Sequence, residues 1–162
     1  MITLRAATLD DVALLRSWDD DPDVVASGGG GYEWETEIPV RSPWSELLIA
    51  QWNDEPVGFM QIADPALEES HYWGDCEQHL RSIDIWIGGA EHRGRGIGTA
   101  MMRAAIDRCF SSPDVTAIII DPLVRNERAR RFYERLGFEF VEVRRFDNDE
   151  CAVYRLERSN RP

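Results

Sequence analysis

The 162-residue sequence contains no lysine: all 18 of its basic residues are arginine. Against 30 acidic residues this leaves a formal net charge of -12. That balance argues against a nucleic acid as partner, because phosphate backbones are held by basic surfaces. Cysteine is scarce as well. Cys76, Cys109 and Cys151 make neither a Cys-x-x-Cys pair nor a disulfide framework. With no secretory leader pattern at the start, the expected setting is a reducing cytoplasm. No apolar run approaches the ~20 residues that span a bilayer, so no membrane partner is expected. His71, His79 and His92 share no helical spacing and no cysteine partners, which speaks against a metal site.

What is present suits one domain over residues 1–162, since an apolar share of 43% at this length is enough for a real core. The charge is uneven. Residues 1–90 hold 18 acidic and 4 basic residues, whereas residues 91–162 hold 12 and 14. An acidic front half beside a slightly basic back half suits a cation in the one and an anion in the other. It equally suits an acidic surface that keeps the chain soluble.

Periodicity and turn signals predict the order strand, helix, hairpin, strand, helix, strand, helix, strand, strand, a mixed sheet with helices on both faces. Ile2–Arg5 reads as the first strand. Thr8 caps a helix with Val12, Leu15 and Trp18 on its buried stripe, and Pro22 is expected to help end it. The Gly28–Gly31 run, beside Tyr32 and Trp34, reads as a substrate-facing loop or a loose surface loop. Leu47–Trp52 and Val57–Ala63 form a hairpin, and residues 64–80 a long polar insertion. Ser82–Ile87 places Ile83, Ile85 and Ile87 on one face, with Asp84 and Trp86 on the other. Gly96–Phe110 and Asn126–Leu136 are helices, the second stopped by Gly137. Val115–Ile120 is a buried strand, and Phe138–Arg144 with Ala152–Leu156 closes the sheet.

The strongest local signal is Arg93-Gly94-Arg95-Gly96-Ile97-Gly98-Thr99, between a strand and a helix. Glycines let a backbone approach a ligand and turn its amides toward it. A helix N-terminus adds a field that favours an anion, and the arginines add charge-assisted hydrogen bonds. A diphosphate fits such a cradle. No Gly-Lys-Ser/Thr follows, so this is not a Walker loop, and a dinucleotide fingerprint fits poorly. A glycine-rich turn with solvated arginines is the plain alternative.

Arg93-x-x-Gly96-x-Gly98 resembles the pyrophosphate-binding signature of the GNAT superfamily of acyl-CoA-dependent N-acetyltransferases. Asn126-x-x-Ala129-x-x-x-Tyr133-x-x-x-Gly137-Phe138 resembles its second signature, in the right order and context. Within the superfamily the sequence is most similar to the aminoglycoside 6'-N-acetyltransferases. The carriers of that likeness are Tyr72-Trp73, Ser82-Ile83-Asp84, Ser112-Pro113-Asp114-Val115-Thr116, Asp121-Pro122, Ala129-x-x-x-Tyr133 and Ala152-Val153-Tyr154. The Gly28–Gly31 run departs from the aromatic-rich sequence of that group.

The resemblance implies an α+β fold with a mixed, mostly antiparallel central sheet. It implies acetyl-CoA as acyl donor, coenzyme A as product and a cationic small-molecule amine as acceptor, in a monomer or homodimer. It places a catalytic carboxylate at Asp84, and the chemistry wants one, because a protonated amine is no nucleophile. Holding the ammonium by charge is the alternative role. Tyr133 is implied as the acid toward the departing thiolate, with core packing as its alternative. Backbone groups of Ile85, Trp86 and Ile87 are implied to bind the acyl carbonyl and pantetheine arm as an added strand. Arg93, Gly94, Arg95, Gly96, Gly98 and Thr99 would hold the pyrophosphate, with Asn126 and Arg130 further along the donor. Asp121, closing the buried strand, is expected to contact the amine. Trp73, Asp75, Glu69 and Glu77 complete a cationic pocket, or the insertion is an interface or a plain acidic loop. Other acceptors, such as a polyamine, a peptide or a metabolite amine, keep the same chemistry, and a non-catalytic CoA-binding module keeps the cradle without turnover.

Overall fold

In a computed structural model, which describes all 162 residues, strands form at Ile2–Ala6 (β1), Ser45–Trp52 (β2), Glu55–Ala63 (β3), Leu80–Ile87 (β4), Ala117–Ile120 (β5), Glu139–Phe146 (β6) and Asp149–Glu157 (β7). Helices form at Val12–Asp19 (α1), Pro22–Ala26 (α2), Trp34–Val40 (α3), Ile97–Ser111 (α4) and Glu127–Arg135 (α5). The strands make one sheet in the spatial order β1-β2-β3-β4-β5-β7-β6. Every neighbouring pair is antiparallel except β4 and β5. This is the mixed sheet that the sequence pattern predicts, mostly antiparallel as the resemblance implies. No helix is long and apolar enough to cross a membrane.

Alternation along the strands assigns the two faces. Ile83, Ile118, Ile120 and Tyr154 face α4 and α5 in the largest core, with Met101, Met102, Ile106 and Tyr133 from the helices. On the opposite face the cover comes in two pieces. The helices α1 to α3 bring Leu15, Trp18, Val24, Trp34 and Ile38 against Ile49, Phe59 and Trp86. The insertion brings Trp73 against Ala117, Ile119, Phe146 and Val153. A recess is left between the two pieces, over the middle of β4.

Two local expectations change. Pro22 does not end α1 but opens α2. Asp21 caps that turn, accepting from the Asp23 amide at 2.9 Å, and proline suits a first turn because its missing N–H is not needed there. The helix α3 is an addition to the predicted order. Its sequence carries Pro39, and burial of Trp34 and Ile38 holds it in place.

Candidate functional site

The β4–β5 ladder is short. It runs through Leu80↔Ala117, Arg81↔Ile118 and Ser82↔Ile119 and then stops. Beyond Ser82 the parallel strands part, so β4 from Ile83 to Ile87 has no strand along that edge. Its backbone groups there are free to pair with an extended ligand. Two cavities meet at this opening, sharing Ser27, Ile85, Trp86, Asn126, Ala129 and Tyr133.

The first cavity, of about 390 Å³, is lined by Arg93, Gly94, Gly96, Gly98 and Thr99 with Asn126, Phe132, Arg128 and Arg135. Gly94 and Gly96 have φ of +71° and +77°, and no atom lies within 4 Å of where a Cβ would stand. Glycine is therefore needed for the turn, and the space beside it is open. Gly96 caps α4, a helix of 15 residues whose first N–H groups point at the cavity mouth. The glycine cradle, open β4 edge and cationic wall fit the diphosphate and pantetheine of coenzyme A.

Arg130, expected at this cavity, points elsewhere. Its guanidinium donates to the Tyr154 hydroxyl at 3.1 Å and the Val124 carbonyl at 3.3 Å. Residues 128 and 135 lie seven apart on α5 and so share a face, whereas 130 is displaced by roughly 200° from 128. Arg95 reaches only the Glu91 carbonyl, at 3.5 Å, and does not line the cavity. The seven-residue spacing after the Asn126 cap puts Arg128 and Arg135 on one face of α5, but Arg131 shares that face, so the sequence alone does not single them out.

The second cavity, of about 340 Å³, is acidic. It holds Asp84 from β4, Asp121 at the end of β5 and Glu68 from the insertion, with Gly28 to Gly30, Tyr32, Tyr72 and Trp73 around them. Asp84 lies in a recess deep among protein atoms, although the open cleft leaves the residue itself exposed. Loss of bulk water and the charge of Glu68 push its carboxyl up to about 6. Asp121 accepts from the Tyr72 hydroxyl. Burial and the Asp84 charge push it up to about 7. Tyr133 is buried at the meeting of the two cavities, and burial with the Asp84 and Asp121 charges drives its hydroxyl above the usual tyrosine range. No protein group within hydrogen-bond distance is paired with that hydroxyl, so it is available to a ligand.

The insertion divides its acids unevenly. Tyr72 stacks on Phe146 at 4.5 Å and Trp73 packs edge-on against the same ring, which fixes both beside the recess. Asp75 is exposed outside the cavity. Glu77 pairs with Arg155 at 3.1 Å, and Glu69 lines a separate recess beside Arg108. Glu68 is the insertion's acid at the site, and no local pattern distinguishes it from its neighbour. Tyr32 and Gln61 complete the wall, the tyrosine hydroxyl donating to the glutamine oxygen at 2.5 Å.

Residues 7–146 match the family described as "Acetyltransferase (GNAT) domain". The chain is 34% identical over 149 residues to "Aminoglycoside N(6')-acetyltransferase type 1" of Klebsiella pneumoniae, covering 85% of this chain and 74% of that protein. It is 24% identical over 162 residues to a lysine N-acyltransferase of Mycobacterium tuberculosis, covering 95% and 76%. Among solved structures, the fold is similar to that of aminoglycoside acetyltransferase AAC(6')-Ib in complex with coenzyme A and kanamycin. The TM-score is 0.89 at 27% identity, over 99% of this chain and 96% of that one.

Proposed function

The chain belongs to the GNAT acetyltransferases and is an acetyl-CoA-dependent enzyme acting on a cationic amine; on that premise we propose that its acceptor is an aminoglycoside, acetylated at the 6' amine. The observation that carries this reading is the pair of joined cavities, cationic and glycine-lined on one side of the β4–β5 opening and carboxylate-lined on the other. A polycationic amine is drawn to the acidic recess and an anionic donor to the cradle, which brings amine and thioester together at the junction.

The residues there divide the proton work. Asp84, raised to about 6, takes a proton from the ammonium directly or through a water. It is a better match to an amine than an ordinary carboxylate near 4. The free amine attacks the thioester carbonyl, and backbone N–H groups along the open β4 edge are placed to stabilise the oxyanion. As the carbon–sulfur bond breaks, Tyr133, held protonated by its surroundings, donates to the thiolate, and the proton still carried by the attacking nitrogen leaves through water and restores the tyrosine. Asp121 and Glu68 hold ammonium groups that do not react.

The test is thiol release from acetyl-CoA across kanamycin, tobramycin, spermidine, lysine peptides and small metabolic amines, with products identified by mass spectrometry. Because the sequence carries no lysine, no lysine side chain of the enzyme competes as acceptor. Efficient turnover of kanamycin with the acetyl group on the 6' nitrogen is expected. Turnover of another amine with none of the aminoglycosides would refute the acceptor and leave the chemistry standing.

A further inference from the structure

The side chain of Arg93 does something that its place in the glycine cradle conceals. Its guanidinium is largely buried, with 16% side-chain exposure, and bridges two carboxylates. Nη2 lies 2.6 Å from Asp21 and Nη1 2.6 Å from Asp23. A weaker bond reaches the Ile87 carbonyl at 3.5 Å. Both partners sit at the start of α2. Asp21 is its cap and Asp23 lies in its first turn. A helix of five residues cannot hold itself together, because nucleation costs more than so few hydrogen bonds return. It needs a tie from outside.

The chain leaving α2 forms the wall of the site. Ser27 lines both cavities, and Gly28 to Gly30 line the acidic one. Gly29 lies against Val24 and the Trp86 ring, so closely that a Cβ would stand 2.9 and 3.4 Å from them. The placement of α2 therefore fixes where the glycine wall stands over β4. The cavity beside Arg93 holds two other guanidinium groups, Arg128 and Arg135, neither of them paired with a carboxylate among the ion pairs of the protein.

Resting on the acetyltransferase reading above, we propose that Arg93 is a positioning residue for the acceptor side. Its guanidinium clamps α2 and thereby sets the glycine wall of the acidic cavity, while Arg128 and Arg135 supply the cationic side chains facing the donor phosphates. The clamp also neutralises two carboxylates that would otherwise stand near those phosphates, since Asp23 itself lines the donor cavity. Removing Arg93 alone would thus disturb both ligands, and the design must separate them.

Two variants do so: Asp21→Asn/Asp23→Ala, and the same pair with Arg93→Ala added. Asparagine keeps the helix cap, and thermal melting checks that both variants fold. The readouts are coenzyme A affinity by calorimetry, acceptor KM, and hydrogen exchange of the amides of Val25, Ser27, Gly28 and Gly29, which close the α2 turn. The first variant is expected to raise acceptor KM about tenfold and speed those amides about tenfold, as loss of a bidentate charged tie implies. Its coenzyme A affinity should not fall, because carboxylate charge leaves the donor side, and adding Arg93→Ala should move exchange and acceptor KM no further, the tie being already gone. Asp23→Ala alone, at an exposed carboxylate, moves the same readouts less. Unchanged exchange and acceptor KM in the first variant would overturn the proposal. So would a further rise of about tenfold in acceptor KM on adding Arg93→Ala, which would show the guanidinium acting other than through Asp21 and Asp23. If the wild type turns over no amine, the acceptor reading fails, and the exchange arm still decides whether Arg93 holds α2.

Discussion

Replacing Asp121 with asparagine should make the protein more stable at neutral pH while weakening its hold on a cationic acceptor. The Asp121 carboxyl is pushed from 3.8 to about 7, first by burial and then by the Asp84 charge. Between those values the folded protein keeps a proton that the unfolded chain has released, so stability falls as pH rises through the window. At about 1.4 kcal/mol per unit, the full shift sets a ceiling of about 4 kcal/mol. The cleft is open, with Asp121 only partly buried, and screening reduces the effect, so a gain of about 1–2 kcal/mol at pH 8 is expected. Asparagine is isosteric and its carbonyl can still accept from Tyr72, which keeps the local geometry. The assay is urea unfolding of both proteins from pH 4 to pH 8. The advantage of Asp121→Asn should be absent near pH 4, grow through pH 5 to 7 and level off above. A variant no more stable at pH 8, or an advantage independent of pH, would refute the account of Asp121 as a strained carboxylate. The same strain serves binding, because an ammonium beside Asp121 restores the charge that burial disfavours.

Tyr133→Phe should leave stability within about 0.5 kcal/mol, since the hydroxyl has no protein partner to lose, yet lower kcat by about 10²-fold or more; an unchanged kcat would remove the acid role. Asp84→Asn should lower kcat by about 10²- to 10⁴-fold with a much smaller change in acceptor KM, whereas a change confined to KM would reduce Asp84 to an ammonium ligand. The donor KM should rise with salt in wild type, and Arg128→Ala should raise it at low salt and flatten that dependence, as thiol-release kinetics in a salt series would show. Gly88→Ala should destabilise by about 1–3 kcal/mol, because its Cβ would stand 1.9 Å from the Trp18 ring; thermal unfolding measures it.

How far the sequence reaches is visible in β4. A period of two puts three isoleucines toward the helices and Asp84 with Trp86 on the other side, because alternation is a property of the strand itself. The glycine loop is equally legible, since positive φ at Gly94 and Gly96 is a demand made on single residues. So is the stop at Gly137, with φ of +93°. The α2 turn is harder, because Pro22 reads as a terminator of the helix before it, although aspartate followed by proline is also a start signal. The helix α3 carries no such signal, and tertiary burial of Trp34 forms it against the local pattern.

The charges separate what each level determines. By itself the sequence determines the chemistry available: a glycine cradle at a helix start, a carboxylate within a strand, a tyrosine in a helix, and arginine in place of any lysine. Which charge meets which was settled only in three dimensions. Arg93 turned to α2, Arg130 to Tyr154, and of the insertion's acids Glu68 entered the recess. Long side chains choose partners by what the fold brings within a few ångströms. The parting of β4 from β5 belongs to the tertiary structure too, because the ladder stops after Ser82↔Ile119 and neither strand's own alternation marks that point.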